Sequence, residues 1–289
     1  MRRILITGPT GNVGSAVIDS LKQLNGDYEI VAGLRDLTKG EAKFSAEKLS
    51  YVQFDFQDSG SFKVALASCD TLFLLRPPEL ANVEKIFRPL IDSAKSCGVT
   101  HVVFLSVQGV ERSRVIPHNK IERLIADSGL SFTFLRPAYF MQNFSTTLKG
   151  DIHNREIYLP SGDSKFALID VRDIGDVAAI VLANPQKYTG EKIELTCQVR
   201  LNFAQMAKSL SRILGVLITY KSPNLFSFYV HKRREGVATS FILVLIMLHF
   251  LPRFQRLPVV TNYVQQITGH MPREFDDYVR DNKELLLSL

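Results

Sequence analysis

Three glycines, Gly8, Gly11 and Gly14 in ILITGPTGNVGSAVI, stand at a spacing suited to phosphate chemistry. The apolar run Ile4 to Ile6 precedes them, and a helical pattern with Val13, Val17, Ile18 and Leu21 follows. A strand, a glycine turn and a helix start together offer bare amide N–H groups and a partial positive charge to an anion. Glycine lets the backbone come close to it. The spacing is G-x-x-G-x-x-G rather than G-x-G-x-x-G, but the context after a first strand is the one a dinucleotide pyrophosphate needs. The residues assigned to that grip are Gly8, Thr10, Gly11, Asn12, Val13 and Gly14. The competing reading is a purely structural turn.

The second half of such a site lies about twenty residues on, at the end of the next strand. There YEIVAGLRD places Arg35, followed by Asp36. A guanidinium suits a 2′-phosphate through paired donors, which favours NADP(H). NAD(H) is the alternative, with Asp36 on the ribose and Arg35 in solvent.

Residues that follow each later strand are the remaining candidates, because ligands in this architecture sit at the carboxyl ends of the strands. Asp55 and Phe56 suit an adenine amino group and ring face. Leu74, Leu75 and Arg76 precede the stiff pair Pro77-Pro78, and Ser106 ends the fifth strand. Pro137, Tyr139 and Phe140 can wall a nicotinamide and its acceptor. Each also fits ordinary loop composition.

The elements that must position these residues alternate. Strands are expected at Arg3–Thr7, Glu29–Leu34, Ser50–Asp55, Thr71–Leu75, His101–Ser106 and Ser131–Leu135. Helices are expected at Val13–Gln23, Phe62–Ala67, Val83–Cys97 and Asn119–Ser128, with Gly98 and Gly129 as stops. DVRDIGDVAAIVLANP reads as a further helix and Lys192–Leu195 as a strand. From Asn202 the pattern is mainly helical, with a strand at Val216–Tyr220. The fold class is α/β: a Rossmann-type doubly wound parallel sheet with a smaller, mainly helical C-terminal lobe. Residues 1–150, with 166–198 returning, form the nucleotide domain, and 199–289 form the substrate or partner lobe. Substrate is expected between the lobes.

At 289 residues and 46% hydrophobic, the chain can bury one large core or a core with a small lobe. A net charge of +6 suits an anionic ligand and does not by itself call for nucleic acid. The dense cluster His231, Lys232, Arg233, Arg234 reads as a solvated helix face or loop, with nucleic-acid binding the alternative. Cys69, Cys97 and Cys197 have neither disulfide nor metal spacing, so no metal site is expected and a cytoplasmic setting fits. Val237 to Leu251 is strongly apolar but too short to span a bilayer. It reads as a buried helix or a contact with a protein partner or second copy; a substrate-lining or membrane-touching lid is the alternative.

Four segments resemble the NmrA-like group of atypical short-chain dehydrogenases: ITGPTGNVG, HNKIERLIADSGLSFTFLRPAYFMQNF, DVRDIGDVAA and ITGHMPREFDDYVRDN. That group includes NADPH:quinone reductases, triphenylmethane reductases and redox-sensing regulators. Ordinary short-chain dehydrogenases use Tyr-x-x-x-Lys, but here Ile116 stands four before Lys120. Tyr188 and Lys192 have the spacing in a glycine-broken loop and read as a decoy. In place of the usual pair is His118-x-x-x-Glu122, which the resemblance ties to quinone and dye reductases. His118 reads either as a group that orients substrate or donates a proton near neutral pH, or as a helix-start contact without chemistry. Lys120 and Tyr139 complete the catalytic candidates. Flat acceptors need less proton help than ketones, so orientation over a nicotinamide suffices. Tyr139, Phe140 and Phe144 are candidates to stack on such an acceptor, with core packing the alternative. The resemblance implies an NAD(P)H-dependent reductase of a small flat acceptor. A non-catalytic NAD(P) sensor and a nucleoside-diphosphate-sugar epimerase are the alternatives.

Overall fold

A computed structural model describes residues 1–24, 26–38 and 49–288. The strands are β1 (Arg2–Thr7), β2 (Tyr28–Leu34), β3 (Ser50–Gln53), β4 (Thr71–Leu75), β5 (His101–Leu105), β6 (Ser131–Pro137), β7 (Tyr139–Phe140), β8 (Glu156–Tyr158), β9 (Phe166–Ile169), β10 (Lys192–Leu195), β11 (Arg200–Leu201) and β12 (Thr219–Lys221). The helices are α1 (Asn12–Leu24), α2 (Gly60–Leu66), α3 (Val83–Ser96), α4 (Pro117–Asp127), α5 (Lys149–His153), α6 (Val171–Ala183), α7 (Phe203–Leu214), α8 (Leu225–Arg234), α9 (Thr239–Phe250), α10 (Tyr263–Thr268), α11 (Phe275–Asp281) and α12 (Lys283–Leu287).

Two compact units result. The first comprises Met1–Pro137, Val171–Leu195 and Tyr263–Met271; the second comprises Ala138–Asp170, Thr196–Asn262 and Pro272–Leu289. This division differs from the expected lobes at residues 138–150, 166–170, 196–198 and 263–271. Residues 138–170 fall in the second unit, because β7 and β9 pair with each other there. Residues 263–271 fall in the first, where α10 packs on α6 and β10.

The first unit carries a parallel sheet in the order β10-β6-β5-β4-β1-β2-β3. After a first polar residue, Thr71 or His101, its central strands β4 and β5 are apolar to the end, as strands covered on both faces must be. Chain order runs outward from β1 in both directions, so the switch point lies between β1 and β4. Thr7 ties the two carboxyl ends: its Oγ donates to the Phe73 carbonyl (3.0 Å) and accepts from the Leu75 N–H (2.8 Å). Helix α6 packs on α1 so closely that a Cβ on Gly175 would lie 2.7 Å from the Ala16 carbonyl group.

The second unit holds a three-stranded sheet, β11-β9-β7, and a two-stranded one, β12-β8. Helices α7 and α11 cover an aromatic core of Phe144, Phe203, Phe228, Phe275 and Tyr278. Phe144 is fully buried there, so core packing is its role rather than acceptor stacking. The strand expected at Val216–Tyr220 is the shorter β12.

Candidate functional site

The turn between β1 and α1 is built by steric exclusion. Gly8 has φ +62°, the left-handed region that favours glycine. A Cβ on Gly14 would lie 2.1 Å from the Gly8 carbonyl oxygen, so no side chain fits. The Gly11 N–H donates to the Gly8 carbonyl (3.2 Å), and the Ser15 hydroxyl donates to the Pro9 carbonyl (3.0 Å). The first helical bond runs from the Ser15 N–H to the Gly11 carbonyl (2.9 Å). The amides of Asn12, Val13 and Gly14 therefore precede the intrahelical ladder. Thr10, Gly11 and Asn12 are solvent-exposed, while Val13 is buried in the core.

Arg35 is exposed immediately after β2. Asp55 is half-buried, and its carboxylate accepts from the Gln57 N–H (2.9 Å), which closes the turn. Phe56 packs edge-on against Phe54, with ring centroids 4.8 Å apart. Leu74 is buried, and the Leu75 side chain covers Gly8. Pro137 closes β6, and its carbonyl accepts from the Gln108 N–H (2.9 Å). Ser106 directly follows β5, with its Oγ buried and without a hydrogen-bond partner. An orphaned hydroxyl at a strand's carboxyl end suits a ligand group. This hydroxyl and the glycine-lined turn fit a dinucleotide.

Arg76 and His118 form a pair that sequence spacing does not reveal. Arg76 Nη1 donates to the carbonyls of Pro77, Pro78 and Leu80, each at 2.9 Å, and clamps the loop after β4. Its Nε donates to His118 Nε2 at 3.4 Å, so the imidazole proton sits on Nδ1. Burial, and then the Arg76 charge, push His118 down to about 3. The expected proton donor at neutral pH is therefore a neutral ring. The expected His118–Glu122 pair is also replaced: Glu122 receives Arg136 Nη2 at 2.7 Å and Nε at 3.0 Å. Lys120 is exposed and lines a groove with Glu84 and Arg88 of α3. Tyr188 lies in a single turn and Lys192 opens β10, so neither supplies the missing tyrosine–lysine helix pair.

In the second unit, Tyr139 donates to His249 Nε2 (3.1 Å), while His249 Nδ1 donates to the Leu245 carbonyl (2.8 Å). Rings of Phe166 and Phe203 surround the pair. Burial raises Tyr139 above its ordinary value and lowers His249 to about 4. A catalytic tyrosine of the usual kind needs the opposite shift, supplied by a neighbouring cation. Phe140 is half-buried beside it.

Residues 1–233 match the pattern described as the NmrA-like family. The chain is 32% identical over 279 residues to prestalk A differentiation protein A of Dictyostelium discoideum, covering 96% of this chain and 91% of that protein. The chain belongs to the NmrA-like family. It is also 26% identical to the NAD(P)H azoreductase of Xenophilus azovorans, covering 96% of each chain. Among solved structures, the NADPH-dependent quinone oxidoreductase of Escherichia coli in complex with NADPH superimposes with a TM-score of 0.87. Their identity is 24%, with 96% of this chain and 99% of that one covered.

In this NmrA-like chain, two of the segments that carry the likeness meet. His270 of ITGHMPREF lies 3.4 Å from Asp176 of DVRDIGDVAA, and Asp176 also accepts from Ser20 (2.7 Å). With buried Asp173 these groups place ligand atoms within 4.8 Å of one another. Their separation in sequence hid the cluster. Both carboxylates have further partners, and the group ties α6 to α1 and to the segment after α10.

Three neutral histidines, with His101 and His249 buried and His118 half-buried, give this NmrA-like chain a pH dependence. Burial lowers His101 to about 4, as it lowers His249, and His118 lies lower still. The unfolded chain takes up protons near the ordinary histidine value of 6.5 that the folded chain refuses. Stability is therefore complete above that value and falls as pH drops toward 4. His249 alone accounts for roughly 3 kcal/mol. Thermal melts at pH 7.5 and pH 4.5 should show the lower midpoint at acid pH. Equal midpoints would refute the assignment of buried neutral rings.

Proposed function

We propose that this chain is an NADP(H)-dependent reductase that passes hydride to a quinone or similarly flat acceptor. The turn in which Gly14 seats directly on the Gly8 carbonyl carries the reading, because it bares the first amides of α1 beside the sheet's switch point. Asn12, Val13 and Gly14 would grip the pyrophosphate, Arg35 the 2′-phosphate, and Ser106 a polar group of the nucleotide. Bound NADPH supplies the hydride. The chain's own contribution is orientation, since neither neutral His118 nor high-pKa Tyr139 is tuned as an acid. The relatives named as an azoreductase and a quinone oxidoreductase support a conjugated acceptor. Free Cys69, Cys97 and Cys197 suit a reducing cytoplasm.

Purified protein mixed with NADPH and a panel of quinones and dyes tests the proposal. NADPH consumption well above background is expected for at least one acceptor; none with any acceptor overturns it. The absence of a tuned proton donor among the described residues favours a second reading, a non-catalytic sensor. Its signature is tight discrimination between oxidised and reduced nucleotide without turnover.

Arg35→Ala separates the two nicotinamide nucleotides. A lost charge-assisted pair is worth about 1.5–3 kcal/mol, so NADPH affinity should fall roughly ten- to hundredfold while NADH affinity holds. Equal losses in a calorimetric titration would remove Arg35 from this role.

A further inference from the structure

Helix α9 is apolar on every side: TSFILVLIMLHF. Ile242, Leu245 and His249 point into the core of the second unit. Phe241, Leu243, Val244, Met247 and Leu248 remain exposed, Met247 by 50%, and Phe254 in the following turn by 75%. The sequence expectation of a buried helix thus holds for one face only. An apolar face of this kind calls for a cover.

Charge identifies the cover. No aspartate or glutamate occurs between Gly236 and Asn262. Arg253 and Arg256 follow the helix in exposed positions, and exposed Arg233 and Arg234 precede it. An isologous contact with a second copy would set this patch against itself, arginine facing arginine, and the adjacent acid Glu235 is already engaged by Lys232 (2.8 Å) and His231 (3.1 Å). An anionic bilayer answers both features, apolar chains for the helix and phosphate headgroups for the guanidiniums. The helix is about 18 Å long, too short to span. No helix among the described residues is long and apolar enough to cross a membrane.

We propose that α9 and the turn after it form a docking face that lies in the surface of an anionic membrane. This inference does not rest on the reductase reading, and its test needs no nucleotide. The full chain is sedimented with vesicles of phosphatidylcholine alone or mixed with phosphatidylglycerol. Binding to the mixed vesicles is expected, with release as salt is raised. Arg253→Ala/Arg256→Ala should weaken it roughly 25-fold, about fivefold per arginine. Met247→Ser/Phe254→Ser, at exposed sites, should weaken it while leaving the melting temperature unchanged. Binding to neither vesicle overturns the proposal, as does equal binding to both. So does a concentration-dependent dimer in light scattering that Met247→Ser/Phe254→Ser dissolves in protein that ignores vesicles; a second copy is then the cover.

Discussion

Gly14→Ala should raise the dissociation constant for NADPH by about a hundredfold, or 2.7 kcal/mol. The added methyl carbon would stand 2.1 Å from the Gly8 carbonyl oxygen and 2.8 Å from the Pro9 Cα. Backbone cannot yield as a flexible side chain does, so the turn itself must shift. That shift displaces the amides of Asn12 and Val13 from the geometry a pyrophosphate needs. The same strain, of order 1–3 kcal/mol, should lower the melting temperature of the nucleotide-free protein. Gly11→Ala is the comparison: its added carbon would meet only the Gly8 oxygen, at 3.5 Å, an ordinary contact. Its melting temperature should stay near wild type. Gly14→Ala protein that both melts and binds NADPH as wild type does would rule out the turn as the grip.

Lys232→Met should destabilise the protein by about 3–5 kcal/mol, the cost of stranding a buried charge. Lys232 and Asp151 are both more than nine-tenths buried, with Nζ 2.9 Å from Oδ1. Burial alone would lower Lys232, but Glu235, at 2.8 Å, and Asp151 outweigh it and hold the ammonium charged. The Asp151 carboxylate also accepts from the Tyr158 N–H (2.9 Å). Once the lysine is gone, that amide is left donating to a sequestered anion. A drop of roughly 10 °C in melting temperature is expected. Lys232→Met/Asp151→Leu should recover most of it, since an apolar pair of similar size replaces the ion pair with little loss. A single variant that melts within a degree or two of wild type would show that the pair carries no stability.

Local pattern sufficed for the sheet and for its glycine turn. Apolar runs mark β1, β4 and β5, ended by Gly8, by Arg76-Pro77-Pro78 and by Ser106, and each falls within a residue or two of its expected limits. The pattern failed where charge was judged without its partner. Lys232 sits in a run of four basic residues and reads as solvated, yet Asp151, from a distant helix, buries it. His118 and Glu122 have helical spacing, but Arg76, from the loop after β4, and Arg136, from β6, take one each. The Tyr139–His249 bond was hidden for the same reason: periodicity reports a residue's own helix or strand and is silent about what packs across from it.

The first unit is assembled from three separated stretches of chain. Its edge strand β10 emerges only at Lys192–Leu195, and α10, which packs on α6 and β10, only at Tyr263–Thr268. During synthesis the sheet therefore waits, one margin bare, until most of the polypeptide has left the ribosome. A product truncated before Tyr263 would lack a piece of the nucleotide half as well as of the lobe that ends the chain. Neither half can be cloned by itself with a single cut.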